Sequence, residues 1–160
     1  MTGTEGNPFG FSIALRDGDI VMDGDALRLS DGLDNLAQSL TLHLATPFAT
    51  DLFNPRYGLD LTSVWHRADR PVNTLTITKA EIHLKIVEAL SRDPRVREVR
   101  EVAFDDSPRF LELAQAGDPV ATPPARGDAV ARRRWRAVVV VDVGIDDTVA
   151  LLTEGERLGT

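Results

Sequence analysis

The chain has no cysteine, only two lysines and one tyrosine, and no long apolar run. The absence of cysteine excludes disulfide frameworks, thiol catalysis and cysteine-ligated zinc. The longest uninterrupted apolar run, Ala137 to Val141, has five residues, far fewer than the roughly 18 that a membrane-spanning helix needs. Met1 to Gly10 lack the basic start and the apolar stretch of a signal peptide, so we expect a cytoplasmic protein.

The composition is ordinary for a globular domain, with 160 residues, 42% hydrophobic and 27% charged. This length suits a single domain with its own apolar core. The net charge of −7 disfavours nucleic acid and anionic membranes, because both attract proteins that carry a positive field. We therefore expect neither nucleic acid nor membrane among the partners.

The charge is distributed unevenly along the chain. Residues 1–35 hold seven acidic side chains against two arginines, a balance of −5, whereas residues 126–136 have a balance of +4. The basic segment contains Arg132, Arg134 and Arg136 around a tryptophan, a pattern also found in nucleic-acid-binding proteins. On a strand, alternate residues point to opposite faces, so only about half of this charge shares a face. We interpret the basic segment as a protein interface or a solvated sheet edge.

The first thirty residues are predicted to form a β extension. Short apolar runs from Phe9 to Leu29 are separated by the turn steps Asp17-Gly18 and Asp23-Gly24, which are typical of hairpins. The aspartates of these steps lack the spacing of a calcium-binding loop, and we assign them to turns.

A first helix is predicted to follow this extension. Its apolar stripe has three- and four-residue spacing and consists of Leu33, Leu36, Leu40 and Leu44. Ser30 or Asp31 is a suitable N-cap, and Thr46-Pro47 is expected to end the helix. We place His43 outside the apolar stripe.

A second long helix is predicted from about Asn73 to Ser91, because Asp93-Pro94 follows and stops it. The segment from Val96 to Phe104 is rich in valine and is predicted to form a strand, with a bulge. Ser107 to Gly127 contains four prolines and is predicted to be a long loop, with a turn of helix near Leu111.

The strongest strand signal is Trp135 to Val143, and Thr148 to Thr153 is predicted to return as its hairpin partner. The expected fold class is therefore α+β: two main helices packed on a mixed, mainly antiparallel sheet, with a C-terminal β-hairpin and an N-terminal β extension. The expected divisions are the extension at 1–30, the main domain at 31–155 and a tail at 156–160.

Motifs of enzyme chemistry are absent from the sequence. It contains neither a glycine-rich phosphate loop nor a Gly-x-Ser-x-Gly elbow. The histidines lie far apart in sequence and are interpreted as ordinary surface or core residues: His43, His66 and His83. A glycosidase needs a protonated carboxyl group, but Glu98 and Glu101 each adjoin an arginine, which favours the ionised form. We expect no catalytic residue, no metal, no cofactor and no enzymatic activity.

Three segments in a fixed order carry a resemblance to a known family. The first helix ends in Leu-Thr-Leu-His-Leu-Ala-Thr-Pro at 40–47, Asn-Pro-Arg-Tyr-Gly-Leu follows at 54–59, and Leu-Ser-Arg-Asp-Pro-Arg-Val stands at 90–96. With the terminal hairpin, this order resembles the small baseplate wedge protein family of contractile phage tails and related injection systems, which is also labelled lysozyme-like. The resemblance covers about Leu33 to Thr153. The β extension and the proline-rich segment 108–127 are additions to the compact family core.

The resemblance implies a set of partner-binding residues. Family members typically carry a Pro-x-Tyr-Gly segment and a Glu-Pro-Arg tripeptide before the first long strand. Here the tripeptide is Asp93, Pro94 and Arg95, with a shorter acid, and the other segment contributes Tyr57 and Gly58. We expect Asp93 and Arg95 to form buried or interface charge-assisted pairs with partner helices.

The resemblance also implies a structural role within a six-fold particle that contains several copies of the chain. The implied partners are larger baseplate wedge subunits and the sheath protein, with tube or hub proteins as further candidates. The protein would start sheath assembly by strand exchange, to which a terminal valine-rich hairpin is suited. Two alternatives stay open: a peptidoglycan hydrolase, and a tail-completion or adaptor subunit.

Overall fold

The computed structural model describes residues 7–16, 18–67, 74–117, 134–144 and 147–156, with the backbone alone described at 65–67, 74–77, 117, 134 and 156. The described chain is α+β, with four helices and several small antiparallel sheets. It divides into two compact units, residues 1–40 and residues 41–160. We describe each unit separately.

The first unit contains six short strands: β1 (Phe11–Ile13), β2 (Leu15–Arg16), β3 (Asp19–Ile20), β4 (Met22–Asp23), β5 (Ala26–Leu27) and β6 (Leu29–Asp31). They form three antiparallel pairs, β1 with β6, β2 with β3 and β4 with β5. Gly18 and Gly24 lie in the connections with φ of 82° and 62°, a conformation that glycine adopts without strain. The predicted short strands and turns of this segment are confirmed.

Helix α1 (Gly32–Ala45) begins directly after Asp31 and ends directly before Thr46, as predicted. The Thr46 hydroxyl donates a hydrogen bond to the Leu42 carbonyl at 2.7 Å, which satisfies an acceptor of the last turn. The placement of His43 outside the apolar stripe is wrong, because its side chain is only 7% exposed. His43 follows the fully buried Leu36 by seven residues, and that spacing returns a side chain to the same face of a helix.

The other helices belong to the second unit and are α2 (Thr62–Arg67), α3 (Thr74–Leu90) and α4 (Pro108–Gly117). Helix α3 confirms the second predicted helix to within one residue at each end. Its described buried face consists of Ile82, Ile86, Ala89 and Leu90. None of the helices in the described part of the chain combines the length and the apolar character needed to cross a lipid bilayer.

Helix α4 confirms the predicted turn of helix near Leu111 but extends it to ten residues, where a long loop was predicted over 107–127. Ser107 caps the helix, since its hydroxyl accepts a hydrogen bond from the Arg109 N–H at 3.2 Å. Pro108 occupies the first helical position, where its missing N–H costs nothing. The fully buried Phe110 packs with Ala114 and other core residues. Residues 118–133 of the expected loop lie outside the described residues.

The C-terminal sheet has three antiparallel strands in the order β7 (Glu98–Phe104), β8 (Arg134–Gly144) and β9 (Asp147–Glu156). The predicted bulge is confirmed, because the β7–β8 register shifts between Val99 and Glu101. The predicted antiparallel pairing of the last two strands is confirmed as well. Val138 and Val139, which point to opposite faces of β8, are both buried, as expected for a central strand.

Candidate partner-binding site

The connection between α1 and α2 is a closed loop whose two ends are hydrogen-bonded to each other. Pro47 and Leu59 form a parallel β-bridge. The Leu59 N–H donates to the Thr46 carbonyl at 2.9 Å, and the Phe48 N–H donates to the Leu59 carbonyl at 3.2 Å. These bonds hold the segment that precedes Leu59 against the end of α1.

Gly58 allows this close approach of the two backbone segments. Its φ is +105°, in the region that favours glycine. A Cβ atom at this position would lie 2.6 Å from the Thr46 carbonyl oxygen and 2.8 Å from the carbonyl carbon and oxygen of Pro47. All three atoms belong to the backbone, so no side-chain rotation relieves the overlap. Gly58 therefore has a structural role in closing the loop, whereas its predicted role in partner binding stays a prediction.

Asp93 and Arg95 pair with each other across a tight turn. The Arg95 Nε donates to Asp93 Oδ1 at 2.9 Å, and Nη2 donates to Oδ2 at 2.6 Å. The Arg95 backbone N–H also donates to Asp93 Oδ1, at 3.0 Å. This bidentate arrangement is a strong form of ion pair because the planar guanidinium matches the carboxylate.

The environment of this pair fixes its charge state. Hydrogen bonds from Arg95 lower the pKa of Asp93, against the opposing effect of burial, and the same bonds raise the pKa of Arg95. The Asp93 side chain is 11% exposed and that of Arg95 is 32% exposed. Pro94 lies between them and is exposed. The intramolecular pair therefore orients the turn, with Pro94 presented to solvent.

His43 lies at the centre of the site. Its ring centroid is 4.4 Å from that of Tyr57, with an angle of 40° between the ring planes. Burial lowers the pKa of His43; the charge of Asp93 and a hydrogen bond to the Gly58 backbone oppose this shift. The Nε2 atom is buried and has no hydrogen-bond partner among the described residues. A neutral imidazole is the form that such an environment favours.

Tyr57 connects the histidine to the ion pair. Burial raises the pKa of Tyr57, and so does the charge of Asp51, whereas Arg95 lowers it. The electrostatic influence of Asp93 reaches both Tyr57 and His43. The structure thus brings the predicted residues of the tripeptide and of the Tyr-Gly segment into one cluster.

The charge states within this cluster are those of a structural ion pair beside a buried, neutral imidazole. The imidazole nitrogen that lacks a hydrogen bond is closed to solvent, and Asp93 is held ionised by Arg95. A general acid needs the opposite shift of its carboxyl pKa. Within the part of the chain that the structure describes, no group of three or more His, Asp or Glu side chains is placed to hold a metal ion.

The loop also carries an exposed apolar tip that the sequence analysis did not identify. Leu52 is 94% exposed and Phe53 is 97% exposed. Asp51 orders this tip, since its Oδ1 accepts hydrogen bonds from the backbone N–H groups of Phe53 at 2.8 Å and Asn54 at 3.2 Å. The sequence signal for this tip was Phe53, an aromatic residue between Asp51 and Asn54-Pro55 in a segment rich in turn-forming residues.

The basic residues of the C-terminal sheet lie apart from this cluster in the sequence. Arg136 lies on β8, and its Nε is 3.6 Å from the Glu154 carboxylate on β9. Arg134 begins β8, and its side chain, like the whole of Arg132, lies outside the described residues. The same is true of the His66 side chain, whereas His83 is exposed on α3.

Comparison with known proteins gave no relative. No protein-family model matches the chain, and no match was found among curated proteins or among solved structures.

Proposed function

We propose that this chain is a structural baseplate wedge component of a contractile phage tail or injection system. In this proposal it joins larger wedge subunits and initiates sheath assembly by strand exchange. The chain acts as a scaffold without enzymatic activity, and several copies enter each six-fold particle. Its cytoplasmic location and its assembly into the particle are parts of the same proposal.

The observation that carries the proposal is the convergence of three separate segments. The resemblance rests on residues 40–47, 54–59 and 90–96, and these contribute His43, Tyr57 and the Asp93–Arg95 pair to one cluster. A sequence order that arose by chance has no reason to place its three motifs close together in space. A shared cluster supports the interpretation that they form one structural unit.

The surface next to this cluster suits a protein partner. The Arg92 guanidinium lies 5.7 Å from the centroid of the Phe48 ring, and exposed Pro94 follows two residues later. The ordered tip adds Leu52 and Phe53. Aromatic and arginine side chains on an ordered backbone are typical of binding hot spots, since little freedom is lost on association.

The C-terminal sheet supports the strand-exchange part of the proposal. Strand β9 lies at the edge of the sheet, and no described strand pairs with its outer side. Its residues alternate, with Val149, Leu151 and Thr153 buried and the residues between them exposed. An edge of this length is able to accept a strand from another chain. The finer arrangement, in which α1 and α3 pack together on this sheet, is part of the proposal.

The test is co-expression with the open reading frames that neighbour this one, followed by affinity purification and negative-stain imaging. The informative variant is Arg95→Ala, which removes the guanidinium that orients the 93–95 turn. Arg109→Ala is the matched control, because Arg109 is also paired with carboxylates but lies on α4 and is 51% exposed.

We expect the wild type and the control to co-purify with a large wedge subunit or with sheath protein. We expect Arg95→Ala to lower the recovery about tenfold, the effect of removing one hot-spot contact.

Three results contradict the proposal. A wild-type chain that stays monomeric in the presence of all neighbouring products excludes the wedge function. Clearing of purified peptidoglycan, abolished by one Asp or Glu substitution, establishes the hydrolase alternative instead. Recovery of a partner that belongs to tail completion, without wedge subunits or sheath, favours the adaptor alternative.

A further inference from the structure

The strands of the first unit meet in a closed ring of backbone hydrogen bonds. The Ala14 N–H donates to the Arg28 carbonyl at 2.8 Å, the Arg28 N–H donates to the Val21 carbonyl at 3.0 Å, and the Val21 N–H donates to the Ala14 carbonyl at 2.9 Å. The three residues are seven positions apart. The pairs β1–β6, β2–β3 and β4–β5 extend from this ring as three arms, and we call the whole the three-arm element.

One face of the three-arm element is directed toward α1. The Ser12 hydroxyl donates to Asn35 Oδ1 at 2.5 Å and accepts a hydrogen bond from Gln38 Nε2 at 3.0 Å. Gln38 also bonds the backbone at both neighbours of Ala14, through the Ile13 carbonyl and the Leu15 N–H. Ser12 therefore lies on the face directed toward α1, opposite to its strand neighbours Phe11 and Ile13, because successive residues of a strand point to opposite faces.

The opposite face is apolar and exposed. It is formed by three cross-strand pairs that adjoin the ring: Ile13–Leu29, Leu15–Ile20 and Met22–Leu27. Residues directly opposite in an antiparallel pair share a face. Five of these six side chains are between 40% and 58% exposed, and Phe11, farther along the first arm, is 74% exposed.

This pattern is the reverse of the usual one, in which a small sheet buries its apolar face and exposes its polar face. Here Ser12 faces the helix, while isoleucine, leucine and methionine side chains are exposed to solvent. A contiguous exposed apolar surface of this kind marks an interaction site in a soluble protein.

Negative charge lies toward the outer end of each arm. Exposed aspartates stand there: Asp19, Asp23, Asp25 and Asp31. The described strands and turns of the element hold only two basic side chains, Arg16 and Arg28, and no lysine. A partner whose apolar surface is bordered by arginine or lysine therefore matches this element in charge, whereas the three-arm element of a second copy, which is equally acidic, does not.

We propose that the apolar face of the three-arm element is a docking surface for a protein partner that presents an apolar patch bordered by basic side chains. The exposed residues of the pairs Ile13–Leu29, Leu15–Ile20 and Met22–Leu27 supply the contact area. The aspartates supply charge complementarity and accelerate association. This inference is independent of the wedge proposal, because it rests on residues outside the three segments of the resemblance.

The test uses the full chain and two synthetic probes. The first probe is an amphipathic helical peptide with a leucine face bordered by arginines, and the second carries glutamate at each arginine position. Binding is measured by fluorescence anisotropy for the wild type and for Ile20→Ser/Leu27→Ser. Leu84→Ser/Leu111→Ser is the matched control, since it removes two exposed apolar side chains from the second unit, one on α3 and one on α4. Circular dichroism checks that each variant is folded.

We expect the arginine peptide to bind the wild type and the control equally, and the glutamate peptide to bind neither. Ile20→Ser/Leu27→Ser is expected to bind the arginine peptide about tenfold more weakly, the effect of losing roughly 1.4 kcal/mol of apolar contact. Asp23→Asn/Asp25→Asn keeps the apolar face and is expected to weaken binding most at low salt.

Several outcomes overturn the inference. Equal binding of the arginine peptide to the wild type and Ile20→Ser/Leu27→Ser shows that the apolar face is not the docking surface. A wild-type dimer in sedimentation velocity that Ile20→Ser/Leu27→Ser abolishes assigns the face to a second copy of the chain. Binding to phosphatidylcholine vesicles that the same variant loses assigns it to a lipid surface.

Discussion

At Gly58 the backbone leaves no room for a side chain. We predict that Gly58→Ala lowers the free energy of unfolding by about 2–4 kcal/mol, because it combines a strained positive φ with overlap against the backbone. Urea denaturation measures the change.

Gly144→Ala is the control for this prediction. Gly144 also has a positive φ, 85°, but a Cβ atom there meets nothing within 4 Å. Its replacement is expected to cost only the conformational strain, about 1–2 kcal/mol. Equal losses for the two variants contradict the close-approach explanation.

The lowered pKa of His43 predicts that the stability of the folded chain depends on pH. Its pKa is lowered in the folded state from 6.5, chiefly by burial, so below pH 6.5 the unfolded chain binds more protons at this position than the folded chain. The stabilisation from the neutral ring is therefore present above pH 6.5 and is lost as the pH falls through the folded-state pKa. We expect the wild type to lose stability between pH 7 and pH 5 in thermal denaturation.

His43→Gln should flatten this part of the profile, because no proton binds at the substituted position. His83→Gln is the matched comparison, since it replaces an exposed histidine on α3 by the same residue. An unchanged slope in His43→Gln excludes His43 as the titrating group.

Individual residues of the site were predictable from sequence to different degrees. Asp93, Arg95, Tyr57 and Gly58 were predicted as partner-binding residues through the resemblance. The structure places them near one another, and their role in partner binding stays a prediction. His43 was missed, although its seven-residue spacing from Leu36 was visible. The apolar stripe of α1 was defined by its leucines alone, so His43, a polar residue on the same helix face, was predicted to lie outside it.

At the scale of elements, α4 makes a testable contribution to the core. Phe110 is fully buried and packs with Ala103, Ala114 and Val138. We predict that Phe110→Ala lowers the free energy of unfolding by about 3–5 kcal/mol, because it leaves a cavity where the ring stood. Leu111→Ala, at a neighbouring position that is 43% exposed, is expected to cost less than about 1 kcal/mol. Similar losses in the two variants indicate that α4 does not pack on the sheet.

The prediction of helix α4 was incomplete, because prolines dominate the composition of its segment and only one turn of helix was predicted there. Four prolines between Ser107 and Gly127 outweighed the short stripe of Phe110, Leu113 and Ala114. A proline at the first helical position, directly after a serine N-cap, favours the start of a helix. Ser107-Pro108 is such a pair. The long helices and the terminal strands were predicted correctly because their periodic patterns extend over many residues.

At the scale of the whole molecule, charge and exposed apolar surface act together. The net charge is −7 at pH 7, and the isoelectric point is about 4.9. We predict a solubility minimum near pH 4.9, where repulsion between molecules vanishes and the exposed apolar faces promote association. Light scattering across a pH series measures it.

Asp23→Asn/Asp25→Asn should move this minimum to higher pH, because two negative charges are removed. Ile20→Ser/Leu27→Ser should leave its position unchanged and reduce its depth. A minimum that both variants leave unaltered contradicts the role of charge and of the three-arm element.

Long-range relations were the part of the fold that sequence reasoning did not reach. Nothing in residues 54–59 or 90–96 indicates that they meet at His43, because contacts between distant segments depend on how every intervening element packs. The ring of Ala14, Val21 and Arg28 was missed for a related reason. Hairpin signals identify turns between neighbouring strands, but not a junction that three hairpin arms share.

The closed ring of backbone hydrogen bonds affects how the sequence and the arm lengths of the first unit can change during evolution. Each of its three members uses its N–H and its carbonyl within the ring, so the junction depends on no side chain for its closure. An arm lengthened by one residue on each strand keeps the junction intact and carries its tip farther outward. Related proteins can therefore change the reach and the outward residues of each arm separately, which makes the junction a constant frame for variable recognition.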